Sequence, residues 1–298
     1  MSAMLSGMAR IAIIGGGSIG EALLSGLLRA GRQVKDLVVA ERMPERAKYL
    51  ADTYSVLVTS VSDAVENATF VVVAVKPADV EPVMAEVARA AAAAEGDSAE
   101  QVFVTVAAGI TITYFESKLP AGTPVVRAMP NAAALVGAGV TALAKGRFVT
   151  PPQLEGVSAL FDSVGGVLSV PESQMDAVTA LSGSGPAYFF LMVEALVDAG
   201  VAAGLSRQVA TDLTAQTMAG SAAMLLERMD SDGRAVEGEA PGMRADTTAA
   251  QLRATVTSPG GTTAAALREL ERGGLRVAVD AAVQAAKRRS EQLRITSE

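Results

Sequence analysis

Short apolar runs rich in β-branched residues punctuate the first part of the chain: RIAII at 10–14, DLVVA at 36–40, SVLV at 55–58, FVVVAV at 70–75, QVFVTVA at 101–107 and TPVVRA at 123–128. Segments of helical spacing lie between them. Strands that are apolar throughout belong inside a sheet covered on both faces, and their alternation with helices predicts a parallel one. After about residue 172 the strands stop. Ala, Leu and Met then recur at helical spacing through ESQMDAVTAL, YFFLMVEALVDAGVAAG, SRQVATDLTAQTMAGSAAMLLERM and LRVAVDAAVQAAKRRSEQL. One small bundle cannot bury that much apolar helix, so the spare faces are expected to pack on a second subunit. The polar, acidic stretch 228–246 reads as a mobile loop. Residues 88–101 read as a helix end followed by a surface connection.

Composition narrows the chemistry. Half of the 298 residues are hydrophobic, enough to bury a sizeable core in two domains. The chain has neither Cys nor His. That removes disulfides, thiolate nucleophiles, the commonest general base and every Ser-His or Cys-His mechanism, and no metal site is expected. A net charge of −7 and a pI near 4.9 leave no basic stripe to neutralise phosphates, so no nucleic-acid partner is expected. KRR at 287–289 stands alone. The first ten residues lack a cationic segment followed by a long apolar one, which makes cytoplasmic the default location. Two charge-free runs, 128–144 and 177–193, are interrupted by Pro, Gly, Asn or Ser and fall short of the roughly 20 residues of a membrane span. They read as buried core, with no membrane partner.

The first glycine-rich stretch sits where a nucleotide would be held. RIAIIGGGSIGEALLSGLLRAG is a strand, a tight turn and a helix whose Leu23, Leu24, Leu27 and Leu28 face inward before Gly31 stops it. In a dinucleotide site Gly15 makes the turn, Gly17 lets the backbone approach the pyrophosphate, and Gly20 lets helix and strand pack closely. The phosphates then rest on the helix amino terminus. The next strand ends at Glu41, where an acidic side chain suits the ribose diol of NAD, whereas Arg42 beside it could hold the extra phosphate of NADP. The pair leaves NADH and NADPH open, with a lean to NADPH. A nicotinamide coenzyme implies hydride transfer. Reducing a carbonyl demands a proton donor for the alkoxide, whereas a protonated imine accepts hydride and leaves a neutral amine, a chemistry compatible with a chain that has no His.

Five stretches carry a family resemblance: IGGGSIGEAL at the cofactor loop, AVKP at 74–77, VRAMPN at 126–131, LSGSGPAY at 181–188 and QLRATVTSPGGTTAAALRELERGG at 251–274. In that order, over nearly the whole length, the chain resembles the 1-pyrroline-5-carboxylate reductases. The resemblance implies an α/β fold with an amino-terminal Rossmann domain, 1–171, followed by an all-helical dimerisation and substrate-binding domain, 172–298. It implies an active site between one subunit's coenzyme and the partner's helices, and NADPH- or NADH-dependent reduction of 1-pyrroline-5-carboxylate to L-proline. Self-association as a dimer is expected, with larger assemblies left open. Coenzyme contacts are implied on Gly15, Gly16, Gly17, Ser18, Ile19 and Gly20, on Ala74, Val75 and Lys76, and on Met129, Pro130 and Asn131. The substrate carboxylate is implied to lie against Ser258, Gly260, Gly261, Thr262 and Thr263, with the Thr263 hydroxyl approaching the ring nitrogen. Asp246 stands where many members have Glu. The chain departs from the family at Thr248 and Ala249, where HP is frequent, and at Val61, where an Asn commonly touches the coenzyme.

Two other functions compete. A 3-hydroxyacid-type dehydrogenase would require a Lys on the first long helix, and none lies between Lys145 and Lys287. A non-catalytic NAD(P)-sensing protein would leave the second glycine-rich turn purely structural.

Overall fold

The computed structural model describes residues 9–93, 101–233 and 248–294. Among them, eight strands form one sheet: β1 (Ile11–Ile14), β2 (Leu37–Ala40), β3 (Leu57–Thr59), β4 (Phe70–Val73), β5 (Val102–Thr105), β6 (Val125–Met129), β7 (Gly139–Lys145) and β8 (Gly165–Ser169). Their spatial order is β3-β2-β1-β4-β5-β6-β7-β8. The six apolar runs seen in the sequence are the six strands β1 to β6, all paired in parallel. Ile11 and Ile13 join the core on one face, Ala12 and Ile14 the core on the other, so both faces are covered.

The sheet is not parallel throughout. β7 runs antiparallel to β6 and pairs in parallel with β8, and neither was apparent from the residue pattern. GVTALAK and GGVLS contain few β-branched residues, and β8 is a half-exposed edge, so no continuous apolar run marks them. The link from Met129 to Gly139 is a single 3₁₀ turn, Ala132–Val136. That is shorter than the crossover of about a dozen residues that parallel neighbours require, so the chain must return beside β6 in the opposite sense.

The helices that cover the sheet are α1 (Ser18–Arg29), α2 (Pro44–Tyr54), α3 (Val61–Val65), α4 (Val80–Ala93), α5 (Ile112–Lys118) and α6 (Pro151–Asp162). Leu23, Leu24 and Leu27 of α1 are buried and Leu28 is partly so, as their spacing predicts. Beyond α7 (Met175–Val178) and a π-helical turn, Thr179–Gly183, the remainder is helical: α8 (Gly185–Ala202), α9 (Arg207–Gly233), α10 (Thr248–Thr255), α11 (Thr262–Arg272) and α12 (Leu275–Gln292). The chain divides into two compact units, Met1–Pro186 with Val283–Glu298, and Ala187–Ala282. Within the first, buried Asp176 of α7 accepts hydrogen bonds from Ser290 at 2.6 Å and from Arg294 Nε at 2.7 Å, tying down the chain's last described turn.

Two expectations change. No loop begins at residue 228, because α9 continues through Gly233; the strong helix formers Leu225, Leu226, Glu227 and Arg228 carry it on. The rest of that stretch, and Asp246 with it, lies outside the described residues. The run 177–193 is not buried core in the single chain: Leu181, Phe189, Phe190 and Leu191 are all more than 60% exposed. By length and composition the helical stretch Glu172–Ala202 would suffice to cross a membrane, with only 11% of its apolar window buried.

Candidate functional site

The strand order places a switch point at β1. The chain leaves β1 for β2 and β3 on one side, then returns to β4 on the other. Open α/β sheets bind ligands at the carboxyl ends of the strands where this reversal occurs. The glycine-rich loop lies there: Gly15 N–H donates to Ala40 O at 2.8 Å, and Ala74 N–H to Ile14 O at 2.7 Å, so the loop begins between the ends of β2 and β4.

Each glycine of the loop meets a different constraint. Gly15 has φ +105°, and a Cβ there would stand 2.7 Å from the Ala74 carbonyl oxygen and 2.8 Å from a Val75 methyl. A Cβ on Gly20 would meet the Gly15 carbonyl oxygen at 2.0 Å, so α1 can approach β1 this closely only without a side chain. On Gly17 it would meet nothing within 4 Å. Gly17 and Ser18 are exposed and Ile19 half-buried, and Gly17, as N-cap, supplies no side-chain bond to the first turn of α1. The helix therefore opens onto accessible space with its first N–H groups uncapped, which is the arrangement that receives a pyrophosphate.

At the end of β2 the Glu41 carboxylate is held by two backbone donors, Gly16 N–H and Met43 N–H, each at 2.9 Å. Arg42 is exposed and pairs with Asp79 at 2.9 Å. Lys76 is exposed after β4 and makes no ion pair among the described residues. The other two motifs of the first unit meet one another. Asn131 Nδ2 donates to Ser182 Oγ at 3.3 Å, Val140 N–H donates to Asn131 Oδ1 at 3.3 Å, and a Cβ on Gly183 would press within 2.7 Å of Met129 Cε. Pro130 is buried between them in sequence. These contacts form at the π-helical turn, a local irregularity often found at functional sites.

In the second unit, Ser258 to Thr263 make the bend expected of TSPGGTT. Gly260 adopts φ +68°, Gly261 N–H donates back to Ser258 O at 3.0 Å, and Gly261 is the N-cap of α11. Ser258, Gly260 and Thr262 are exposed and Thr263 half-buried; the Thr263 hydroxyl makes no hydrogen bond among the described residues. The residue pattern did not reveal that Arg46 of α2 donates to Gly16 O at 2.7 Å and pairs with Glu21, or that Tyr54 Oη donates to Glu21 at 2.8 Å. These pairings span 25 to 33 positions, and no local spacing signals them. Burial would raise the Glu21 carboxyl, but hydrogen bonds from Arg46 and Tyr54 outweigh it and hold it below the ordinary carboxylate range. Tyr54 is pushed up to about 12, by burial and then by Glu21. Among the described residues no group of three or more acidic side chains is placed to hold a metal.

A glycine-rich loop at the switch point of a doubly wound sheet, followed by an all-helical region, is the arrangement of Rossmann-type nicotinamide oxidoreductases. Residues 10–109 match the family described as NADP oxidoreductase, coenzyme F420-dependent, and residues 172–293 match pyrroline-5-carboxylate reductase dimerisation. The pyrroline-5-carboxylate reductase of Mycobacterium tuberculosis is 85% identical over 295 residues, covering 99% of this chain and 100% of that one; the Mycobacterium leprae enzyme is 83% identical over the same shares. Among solved structures, a pyrroline-5-carboxylate reductase from Coxiella burnetii superposes with a TM-score of 0.85 at 33% identity, over 97% of this chain and 100% of that one. The Plasmodium falciparum pyrroline carboxylate reductase with NADP bound gives 0.78 at 27%, over 96% and 99%. The chain belongs to the pyrroline-5-carboxylate reductase family.

Proposed function

We infer that the chain reduces the cyclic imine 1-pyrroline-5-carboxylate to L-proline with NADPH or NADH, the last step of proline biosynthesis. The observation that carries this is the 85% identity to the Mycobacterium tuberculosis enzyme over effectively the whole of both chains. The family makes it an NAD(P)H-dependent oxidoreductase acting on a cyclic imine that self-associates through its helical region. In this reading the division falls at 171/172 and the location is cytoplasmic.

The bound coenzyme supplies the hydride. Gly15 to Gly20 and the uncapped start of α1 hold its pyrophosphate, with Glu41, Arg42, Ala74 to Lys76 and Met129 to Asn131 as further contacts. The bend at Ser258, Gly260, Gly261 and Thr262 offers backbone N–H groups and the positive end of α11 to one carboxylate, a smaller demand than a phosphate. Asp246 belongs to the same substrate-binding set by family pattern. Thr263 carries a hydroxyl without a hydrogen bond among the described residues, which can hydrogen-bond the ring nitrogen and orient the C=N bond. An imine nitrogen already protonated asks no proton of the chain when its carbon is reduced, which suits a site built without His.

The test is absorbance at the reduced-nicotinamide band during incubation with 1-pyrroline-5-carboxylate. Coenzyme is expected to be consumed as proline accumulates in equal amount. An unchanged band with both NADPH and NADH would sink the reductase reading and favour a nucleotide sensor.

A further inference from the structure

The two peptide units that flank Gly16 are both held from outside the glycine-rich loop. Glu41 accepts the Gly16 N–H at 2.9 Å, and Arg46 Nε donates to the Gly16 carbonyl oxygen at 2.7 Å. A peptide is planar and trans, so turning the Gly16 carbonyl toward Arg46 turns the Gly17 N–H away from it. Of the glycines in this loop, Gly17 is the one on which an added Cβ would meet nothing within 4 Å. The orientation of one carbonyl thus decides where the first N–H donor of the phosphate cradle points.

Arg46 is itself held by further contacts. Its guanidinium pairs with Glu21 in the first turn of α1 and lies 4.9 Å from the centre of the Tyr49 ring. Glu21 in turn accepts from Tyr54 Oη at 2.8 Å, with Tyr54 at the far end of α2. A planar guanidinium can give Nε to the loop and a terminal nitrogen to a carboxylate at once, a division that an ammonium cannot reproduce in the same geometry. Glu21 balances the charge that Arg46 brings to the loop.

We propose that Arg46 is a positioning residue for the coenzyme: it clamps the Gly16 carbonyl between α2 and Glu21 and so pre-sets the backbone donors for the pyrophosphate common to NADH and NADPH. This rests on the reading of the loop as a nicotinamide dinucleotide site. It differs from a 2′-phosphate contact, because loss of the clamp must weaken both coenzymes by the same factor.

The experiment is a titration of wild type, Arg46→Met and Arg46→Lys with NADH and with NADPH, followed by nicotinamide fluorescence, beside steady-state kinetics with 1-pyrroline-5-carboxylate. Arg46→Met is expected to raise Kd and KM for both coenzymes about tenfold, the worth of one charge-assisted hydrogen bond, with kcat at saturating coenzyme and the KM for the imine within about twofold of wild type. Arg46→Lys keeps the pairing with Glu21 and gives a smaller rise, again equal for the two, and carries the test if the methionine variant does not fold. Selective weakening of NADPH in either variant would make Arg46 a phosphate reader and overturn the proposal, as would unchanged Kd values. Wild type that binds and oxidises coenzyme while the variants behave identically refutes the clamp alone. Wild type that binds neither coenzyme removes the reductase reading and the clamp together.

Discussion

A methyl group added at Gly17 and one added at Gly20 interrogate different parts of the same loop. The Gly17 methyl would project into space free of protein atoms to 4 Å, so Gly17→Ala is expected to leave the melting temperature within a few degrees of wild type while weakening both coenzymes in a fluorescence titration. At Gly20 two effects oppose each other. Ala is the better helix former by about 1 kcal/mol, but its Cβ would stand 2.0 Å from a backbone oxygen that cannot rotate away. The clash wins: Gly20→Ala forces α1 off β1 and should lower stability by about 1–3 kcal/mol, read from urea midpoints. For Thr263 the expectation is chemical. Thr263→Ala removes one hydrogen bond of about 1–3 kcal/mol, so turnover should fall about 10- to 100-fold with the fold intact; unaltered steady-state kinetics would take Thr263 out of the reaction. The turn at Gly15 and the close packing at Gly20 were legible in the sequence because they depend on spacing within one strand-turn-helix. The Arg46–Glu21–Tyr54 brace was not, because it is a tertiary fact with no local pattern.

At the scale of elements, what was legible followed burial. β1, β2, β4, β5 and β6 are buried on both faces and announce themselves as apolar runs, the half-exposed edge strand β3 is shorter but still apolar, and α1 shows its buried stripe at Leu23, Leu24 and Leu27. β7 and β8 are held by pairing and a short return from β6, for which composition gives no sign. The tether between α7 and the end of α12 was also invisible, since Asp176 and Ser290 lie 114 positions apart. Its energetics are open to measurement. Burial would raise the Asp176 carboxyl, but hydrogen bonds from Ser290 and Arg294 and the Arg294 charge together hold it below the usual aspartate range. A carboxyl depressed on folding adds stability above its unfolded pKa and loses it as the pH falls through the folded one. Urea midpoints of wild type followed from neutral pH down through the carboxylate range should therefore fall more steeply than those of Asp176→Ala. At neutral pH the variant should be less stable by about 1–3 kcal/mol, the cost of leaving the buried Ser290 hydroxyl without its acceptor while the partly exposed Arg294 returns to water. Parallel pH curves would mean that the tether contributes nothing.

At the scale of the whole molecule, the decisive feature is the apolar surface of α8. A helix hydrophobic all round belongs in an interior, yet Phe189, Phe190, Leu191 and Leu196 are each more than half exposed in the single chain. The sequence foretold the surplus, but the run 177–193, read as buried core, is not buried within the single chain, because apolar periodicity does not say whose core it serves. A membrane and a second subunit could each bury such a helix, and length and composition alone do not separate them. The match of residues 172–293 to the dimerisation family decides for the subunit. Phe189, Met192 and Leu196 share one face, three and four residues apart. Each large apolar side chain withdrawn from water contributes about 1.5–3 kcal/mol, and a charge in its place costs more again. Phe189→Glu combined with Leu196→Glu should thus weaken self-association by at least about a thousandfold and yield a monomer by light scattering in detergent-free buffer, where wild type gives a dimer or a larger assembly. An unchanged mass for the double variant would exclude this face of α8 from the interface. Recovery of wild type only in detergent would instead return the helix to a membrane.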